Sequence, residues 1–212
     1  MNYLYNKQEI DFAEYIRDNP PKNIWWSFTA YVFDYEEFYF QIECVSEVAD
    51  TPNGLDEAIV GRFTKYLYPF NPKGDTKLIC ENKKIEELYV LRVFLYYTTF
   101  ESFSIKEQML NVIKQRIKRF LNRKQYSFED IISSPTGYCE EITCHPDSEE
   151  ALNVESKFSN LVDCGLLIKI DGKYLKAFVE DCFFGFHIYN DKYFFEKDEI
   201  KELSEQYKFI KI

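Results

Sequence analysis

Trp25-Trp26-Ser27-Phe28-Thr29-Ala30-Tyr31-Val32-Phe33 and, beyond a short polar break, Phe38-Tyr39-Phe40-Gln41-Ile42-Glu43-Cys44-Val45 are the stretches that decide the fold class. Over residues 24–33, Trp26, Phe28, Ala30 and Val32 alternate with Trp25, Ser27, Thr29 and Tyr31. Over residues 38–47, Phe38, Phe40, Ile42 and Cys44 alternate with Tyr39, Gln41, Glu43 and Val45. A period of two with one apolar face is what a half-buried antiparallel sheet requires. Asp34-Tyr35-Glu36-Glu37 suits the connection of a β-hairpin. This reading sends Trp26, Phe28, Phe40 and Ile42 into the core and leaves Trp25, Tyr31 and Tyr39 on the less apolar face.

Outward from the hairpin, helices and strands alternate irregularly. Ile10, Ala13 and Ile16 recur at helical spacing over residues 7–18, and Asn19-Pro20-Pro21 ends that helix. Residues 50–76 are rich in turn formers, with a short helix expected near 55–66. Residues 77–81 and 88–99 read as strands. The second is apolar on both faces, as a central strand is, with a buried helix as the competing reading. Ser104-Ile105-Lys106-Glu107 opens a helix to about residue 123, a shorter helix follows at 127–132, and residues 133–147 read as a loop. A helix over 148–163 ending at Gly165 then precedes a hairpin about Asp171-Gly172. A second hairpin spans 183–195, a helix 198–206 and a last strand 207–212.

The fold class expected is therefore α+β: an antiparallel sheet with packed helices over residues 1–132, then a smaller helix-plus-hairpin part over 133–212, packed on the first as one unit or separate from it. The order helix, glycine stop, hairpin over 148–178 resembles the last part of a winged-helix module. A DNA-reading helix presents basic and amide groups, whereas this one carries Asn153, Glu155, Ser156, Lys157, Ser159 and Asn160. The plainer interpretation is a helix packed on a meander.

Charge bears most directly on function. The 212 residues hold 26 Lys and Arg against 36 Asp and Glu, a formal net charge of −10. Residues 1–100 carry net −6, residues 101–125 net +5 and residues 126–212 net −9. An acidic chain repels nucleic acid at long range and attracts basic partners. The exception is the helix near 105–124, whose Lys114, Arg116, Lys118, Arg119 and Arg123 could follow phosphates or simply form a solvated face. No apolar run is long enough to span a bilayer and no basic-apolar leader opens the chain, so a cytoplasmic location is expected, in a bacterium or in a phage's host.

Chemical motifs are sparse. Cys139, Cys144 and His145 are the one metal-like local group, and their spacing departs from that of zinc sites. A nucleophilic pair of Cys139 or Cys144 with His145 or His187 has no supporting motif. Glu43, Glu47 and Asp50 could gather at a sheet end around Mg²⁺, although a solvated strand edge is the better explanation of them. Arg92, in an apolar strand, needs an acid if buried, and Glu43 or Glu47 is the expected one. Phosphate-binding and hydrolase loops are absent from the sequence, no cofactor is expected, and the six Cys read as free thiols.

Three function classes follow. The first is a non-catalytic, acidic protein of inhibitor or immunity type that covers a basic surface of a partner protein through Trp25, Tyr31, Tyr39, Glu43 and Glu47. The second is a nucleic-acid binder using the basic helix. The third is a small Cys/His or acidic-cluster enzyme.

Overall fold

The computed structural model describes residues 3–27, 30–51, 54–72, 74, 76–99, 139–154, 159–178 and 193–212. The helix expected near 105–124 with Lys114, Arg116, Lys118, Arg119 and Arg123, the helix expected at 127–132, most of the hairpin expected at 183–195, and Phe28, Cys182 and His187 lie outside the described residues.

Helix α1 spans Lys7–Asp18. Asn6 caps it by accepting from the Glu9 N–H, and Glu9 accepts in return from the Asn6 N–H. Its apolar face, with Ala13 and Ile16 fully buried, packs into the main core. Strands β1 (Asn23–Ser27), β2 (Ala30–Asp34), β3 (Tyr39–Thr51), β4 (Gly54–Tyr66) and β5 (Lys77–Glu81) form the first sheet, in the order β4-β3-β2-β1-β5. The second sheet holds β6 (Glu87–Thr99), β7 (Cys139–Cys144), β8 (Ser159–Ile170), β9 (Lys173–Phe178), β10 (Phe194–Phe195) and β11 (Lys208–Lys211). Its order is β10-β9-β8-β6-β11, with β7 also on β6. Leu91–Arg92 marks the middle of β6: Tyr89–Arg92 pairs with β11, and Phe94–Thr99 pairs with β7. Helices α2 (Glu149–Asn153) and α3 (Lys197–Gln206) complete the described structure.

The antiparallel, sheet-dominated α+β class is as expected, and β6 is the central strand that its two apolar faces require. Leu88 and Val90 meet Phe33, Phe40 and Ile42 of the first sheet in the main core, while Leu91, Val93 and Leu95 face a second core that includes Ile200 of α3. β6 lies before the boundary expected at residue 133, and its partners β7, β8 and β11 lie after it.

Four sequence expectations are corrected. Residues 55–66 are strand, not helix. Residues 139–144, expected in a loop, are strand β7. The helix expected over 148–163 is five residues long, and Ser159–Ile170 is a strand, so a winged-helix order is not present. Leu161, Val162, Leu166 and Leu167 lie in a strand covered on both faces, where no period of two survives to betray it. Gly165, expected as a helix cap, sits in β8 at φ 149°, beside the register shift at Leu91/Arg92. That φ suits glycine and allows a bulge.

The fourth correction decides which aromatics are available. Residues 24–33 are two strands, not one. Ser27 pairs with Ala30 and Trp26 with Tyr31, so the chain reverses between Ser27 and Ala30. Paired residues of an antiparallel ladder share a face, so this two-residue connection swaps the faces expected for everything between it and the next turn. Tyr31 and Phe33 therefore point into the core, 2% and 0% exposed, while Ala30 and Val32 share the other face with Trp25. Phe40 and Ile42, beyond the correctly read turn at residues 34–37, face the core as expected.

Candidate functional site

The face of the first sheet turned away from the core carries rows of cross-strand neighbours. One row is Asn23, Asp34, Tyr39 and Tyr66; the next is Trp25, Val32, Gln41 and Thr64; the third is Ser27, Ala30, Glu43 and Arg62. β4 and β5 are the opposite edges of this sheet, so the chain between Tyr66 and Lys77 must cross it. Phe70 touches both Tyr39 of β3 (ring centroids 5.2 Å apart) and Trp25 of β1 (6.0 Å), which puts the crossing on the outer face. Tyr39 also stacks on Tyr66 at 4.8 Å and meets Tyr68 edge-on at 5.6 Å. Rings at these spacings bind one another beyond their simple area burial.

The crossover alters the expected anchors. Tyr39 lies on the outer face, as its alternation implies, but the roof of Tyr66, Tyr68 and Phe70 leaves it 7% exposed. Burial, followed by its hydrogen bond to the Tyr68 hydroxyl, raises the Tyr39 phenol well above its ordinary pKa. Trp25 is half-buried under Phe70, and Tyr31 is in the core. The most exposed aromatic and aliphatic side chains here are Leu67, Tyr68 and, on β5, Leu78, at 79%, 55% and 46% exposed. Nothing in the local alternation of residues 24–47 could reveal them, because their exposure depends on a crossover whose path is set by strand order.

Beside the aromatic roof lies a polar strip. Glu43 is half-exposed. Its Oε1 accepts from the Thr64 hydroxyl at 3.1 Å and its Oε2 from the Gln41 amide at 3.2 Å. Its charge reaches the roof: the Tyr66 phenol is raised first by partial burial and next by Glu43. Among the described residues Glu43 has no basic partner. The two basic residues flanking Thr64 are committed elsewhere. Arg62 binds Glu47 (Nε to Oε1, 2.5 Å), Glu9 and the Leu4 carbonyl, and Lys65 lies over the Phe38 and Phe40 rings. Glu47, expected beside Glu43 as a partner contact, is thus already neutralised within the chain.

The seam between the sheets holds the opposite kind of carboxylate. Asp163, fully buried, accepts from Arg92 Nε at 2.6 Å and Nη2 at 3.1 Å, and from the Tyr5 N–H at 2.8 Å. The partner of Arg92 is therefore Asp163, not Glu43 or Glu47. β6 pairs Arg92 directly with Asp163 of β8, whereas Glu43 and Glu47 are in the other sheet. Glu9, 3% exposed, accepts from the Phe63 N–H at 3.2 Å on the edge of β4. Tyr3 adds backbone hydrogen bonds to Leu161 and Asp163. Together these contacts tie residues 3–9 across both sheets. The Tyr5 phenol is raised by burial and then by Asp163, which leaves it protonated.

The Cys and His candidates are separated. Cys139 and Cys144 are the first and last residues of β7, about 17 Å apart along it at the rise of a strand. Cys144 is buried and accepts from the Ser148 hydroxyl, and His145 Nδ1 accepts from the Asp147 N–H. Glu43 and Glu47, four residues apart on an extended strand, are about 13 Å apart along it. Among the described residues no cluster of three or more His, Cys, Asp or Glu could hold a metal ion, and no helix is long and apolar enough to cross a membrane. Comparison of the chain with known protein families, curated proteins and solved structures finds no match.

Proposed function

We propose that the protein is a non-catalytic binding protein of inhibitor or immunity type, and that it covers a basic surface of a partner protein with the crossover side of its first sheet. The observation that carries this reading is the pairing, on one face of a chain of net charge −10, of exposed apolar side chains with a carboxylate that has no cation of its own. Leu67 and Tyr68 supply the area that a partner would bury, and Tyr39 and Tyr66 hold Tyr68 in place from beneath. Aromatic residues on such platforms are frequent anchors of interfaces. The acidic field speeds encounter with a positive surface and is screened within about 10 Å at 0.1 M salt.

Affinity capture from the native cell, at low and at high salt and with Tyr68→Ala alongside the unmodified chain, tests this. A basic protein recovered at low salt, lost at high salt and weakened by Tyr68→Ala is the expected result. The nucleic-acid reading makes the opposite demand: a mobility shift at low salt that disappears when Lys114, Arg116, Lys118, Arg119 and Arg123 are reversed in charge. That outcome would overturn the proposal.

A further inference from the structure

We infer that Glu43, held by Gln41 and Thr64, is a recognition point for an arginine side chain of the partner. The inference rests on the binding function proposed above and narrows it to one chemical group.

Three features single out Glu43. First, it is charged and has no countercharge. Arg62, its direct cross-strand neighbour, is drawn away by Glu47, Glu9 and the Leu4 carbonyl. Lys65 lies over the Phe38 and Phe40 rings, 4.4 Å and 5.5 Å from their centroids. Secondly, its orientation is fixed. Each oxygen is held by one neutral donor, Oε1 by Thr64 and Oε2 by Gln41. A carboxylate has about four acceptor positions, so each oxygen keeps a lone pair. A carboxylate already oriented by its neighbours loses little freedom when a third group binds, which favours a ligand that needs both oxygens at once. Thirdly, an aromatic ring lies on the same face: Tyr66, half-buried in the roof, is the next outward residue of β4 beyond Thr64.

These features select among cations. An ammonium is a compact, strongly hydrated point charge, content with one oxygen. A guanidinium is a planar fork that matches both oxygens of a carboxylate and stacks on an aromatic face. A held pair of oxygens, on a strip that carries a tyrosine ring beyond Thr64, suits the second. Leu67 and Tyr68 are on the chain that directly follows Tyr66, so an arginine bound here would bring its neighbours over the exposed apolar residues.

The test is a titration of the full ¹⁵N-labelled chain at low salt with hexa-arginine and, separately, hexa-lysine, followed by amide shifts. Glu43→Gln is compared with Glu14→Gln, which removes one charge from an exposed position on α1, and urea unfolding confirms that both variants fold. The expected result is that hexa-arginine shifts the amides around Gln41, Glu43 and Thr64 to Tyr68 and binds more tightly than hexa-lysine. Glu43→Gln should weaken it about tenfold, the size of one charge-assisted contact, while Glu14→Gln changes it less than about twofold. Equal effects of the two substitutions, or equal binding of the two peptides, would overturn the arginine site while leaving a diffuse attraction for basic partners in place. Failure of both peptides to bind at low salt would overturn the basic-partner reading as well.

Discussion

The seam between the sheets and the outer face of the first sheet both carry carboxylates on strands, yet the chain treats them differently. At the seam, Asp163 and Glu9 are almost fully buried, and each accepts from a backbone N–H as well as an arginine. On the outer face, Glu43 is half-exposed and accepts only from neutral side chains. A buried charge must be satisfied within the fold or it destabilises the fold. A half-exposed one is stabilised by water and is free to meet something else. The contrast separates carboxylates that hold the protein together from one that can be used on a partner.

Removing Asp163 gives the most severe test of that contrast. Asp163→Ala leaves the Arg92 guanidinium, three-quarters buried, without its counterion and the Tyr5 N–H without an acceptor. The expected loss is about 3 kcal/mol, the low end for a broken buried pair because Arg92 keeps some contact with water. Urea unfolding measures it. A loss below about 1 kcal/mol would mean that the seam is wetter than its geometry implies.

Glu9 comes next. Glu9→Gln keeps the size and one acceptor oxygen but sets an NH₂ against the Phe63 N–H, the Asn6 N–H or Arg62. About 2 kcal/mol of destabilisation is expected, since one donor is left without an acceptor in a buried place. The substitution should also loosen residues 3–9. Faster amide exchange at Tyr3 and Tyr5, whose N–H groups bond the seam, would register this separately from global unfolding.

How much of this was legible in the sequence depends on the range of the interaction involved. Local pattern carried α1, β3, the turn at residues 34–37, the hairpin at Asp171-Gly172 and α3, because each is decided by residues close together in the chain. It failed where a long-range partner does the work. Ser159–Ile170 is buried on both sides by strands and helices from elsewhere, so its pattern imitates a helix. Tyr31 falls on the less apolar face of the pattern because the sequence between Ser27 and Ala30, without Gly, Asn or Asp, gives no turn signal, whereas the chain reverses there and swaps the faces as far as the next turn. The candidate site was half legible: alternation places Trp25, Tyr39 and Glu43 on one face. That Tyr39 is roofed over, that Glu47 is neutralised by Arg62 and that Arg92 belongs to Asp163 depend on strand order, which no local window contains.

Gly61 offers a smaller perturbation that acts between the two regions. It faces β8 where the first sheet approaches the second, and a Cβ there would lie 3.1 Å from the Cys164 carbonyl oxygen and 3.4 Å from the Tyr5 hydroxyl. The backbone oxygen cannot swing aside as a flexible side chain would, so the strands must separate slightly. Gly61→Ala should cost about 1 kcal/mol, the lower range for overpacking, partly offset because alanine restricts the unfolded chain. Thermal unfolding will show it. An unchanged or raised midpoint would mean that β4 and β8 can slide at no cost, and the seam would then owe its rigidity to Asp163 and Glu9 alone.

The smallest stability effect is expected at Glu43, and its smallness matters for the contrast. Glu43→Gln removes a charge that no cation in the described structure balances, from a chain already at −10. The new amide oxygen can still accept from Thr64 or from Gln41, and the side chain remains in contact with water. Unfolding free energy should therefore change by no more than about 0.5 kcal/mol in either direction, as for surface sites without buried partners. If relief of repulsion among the acids dominates, the change is stabilising. The contrast with Asp163 then has a definite form: one substitution removes several kcal/mol of stability and the other almost none, although both take a carboxylate from a strand. A loss of 2 kcal/mol or more at Glu43, measured by the same urea titration, would place it with the structural carboxylates, and any weakening of arginine binding in that variant would have to be read as a consequence of a loosened sheet.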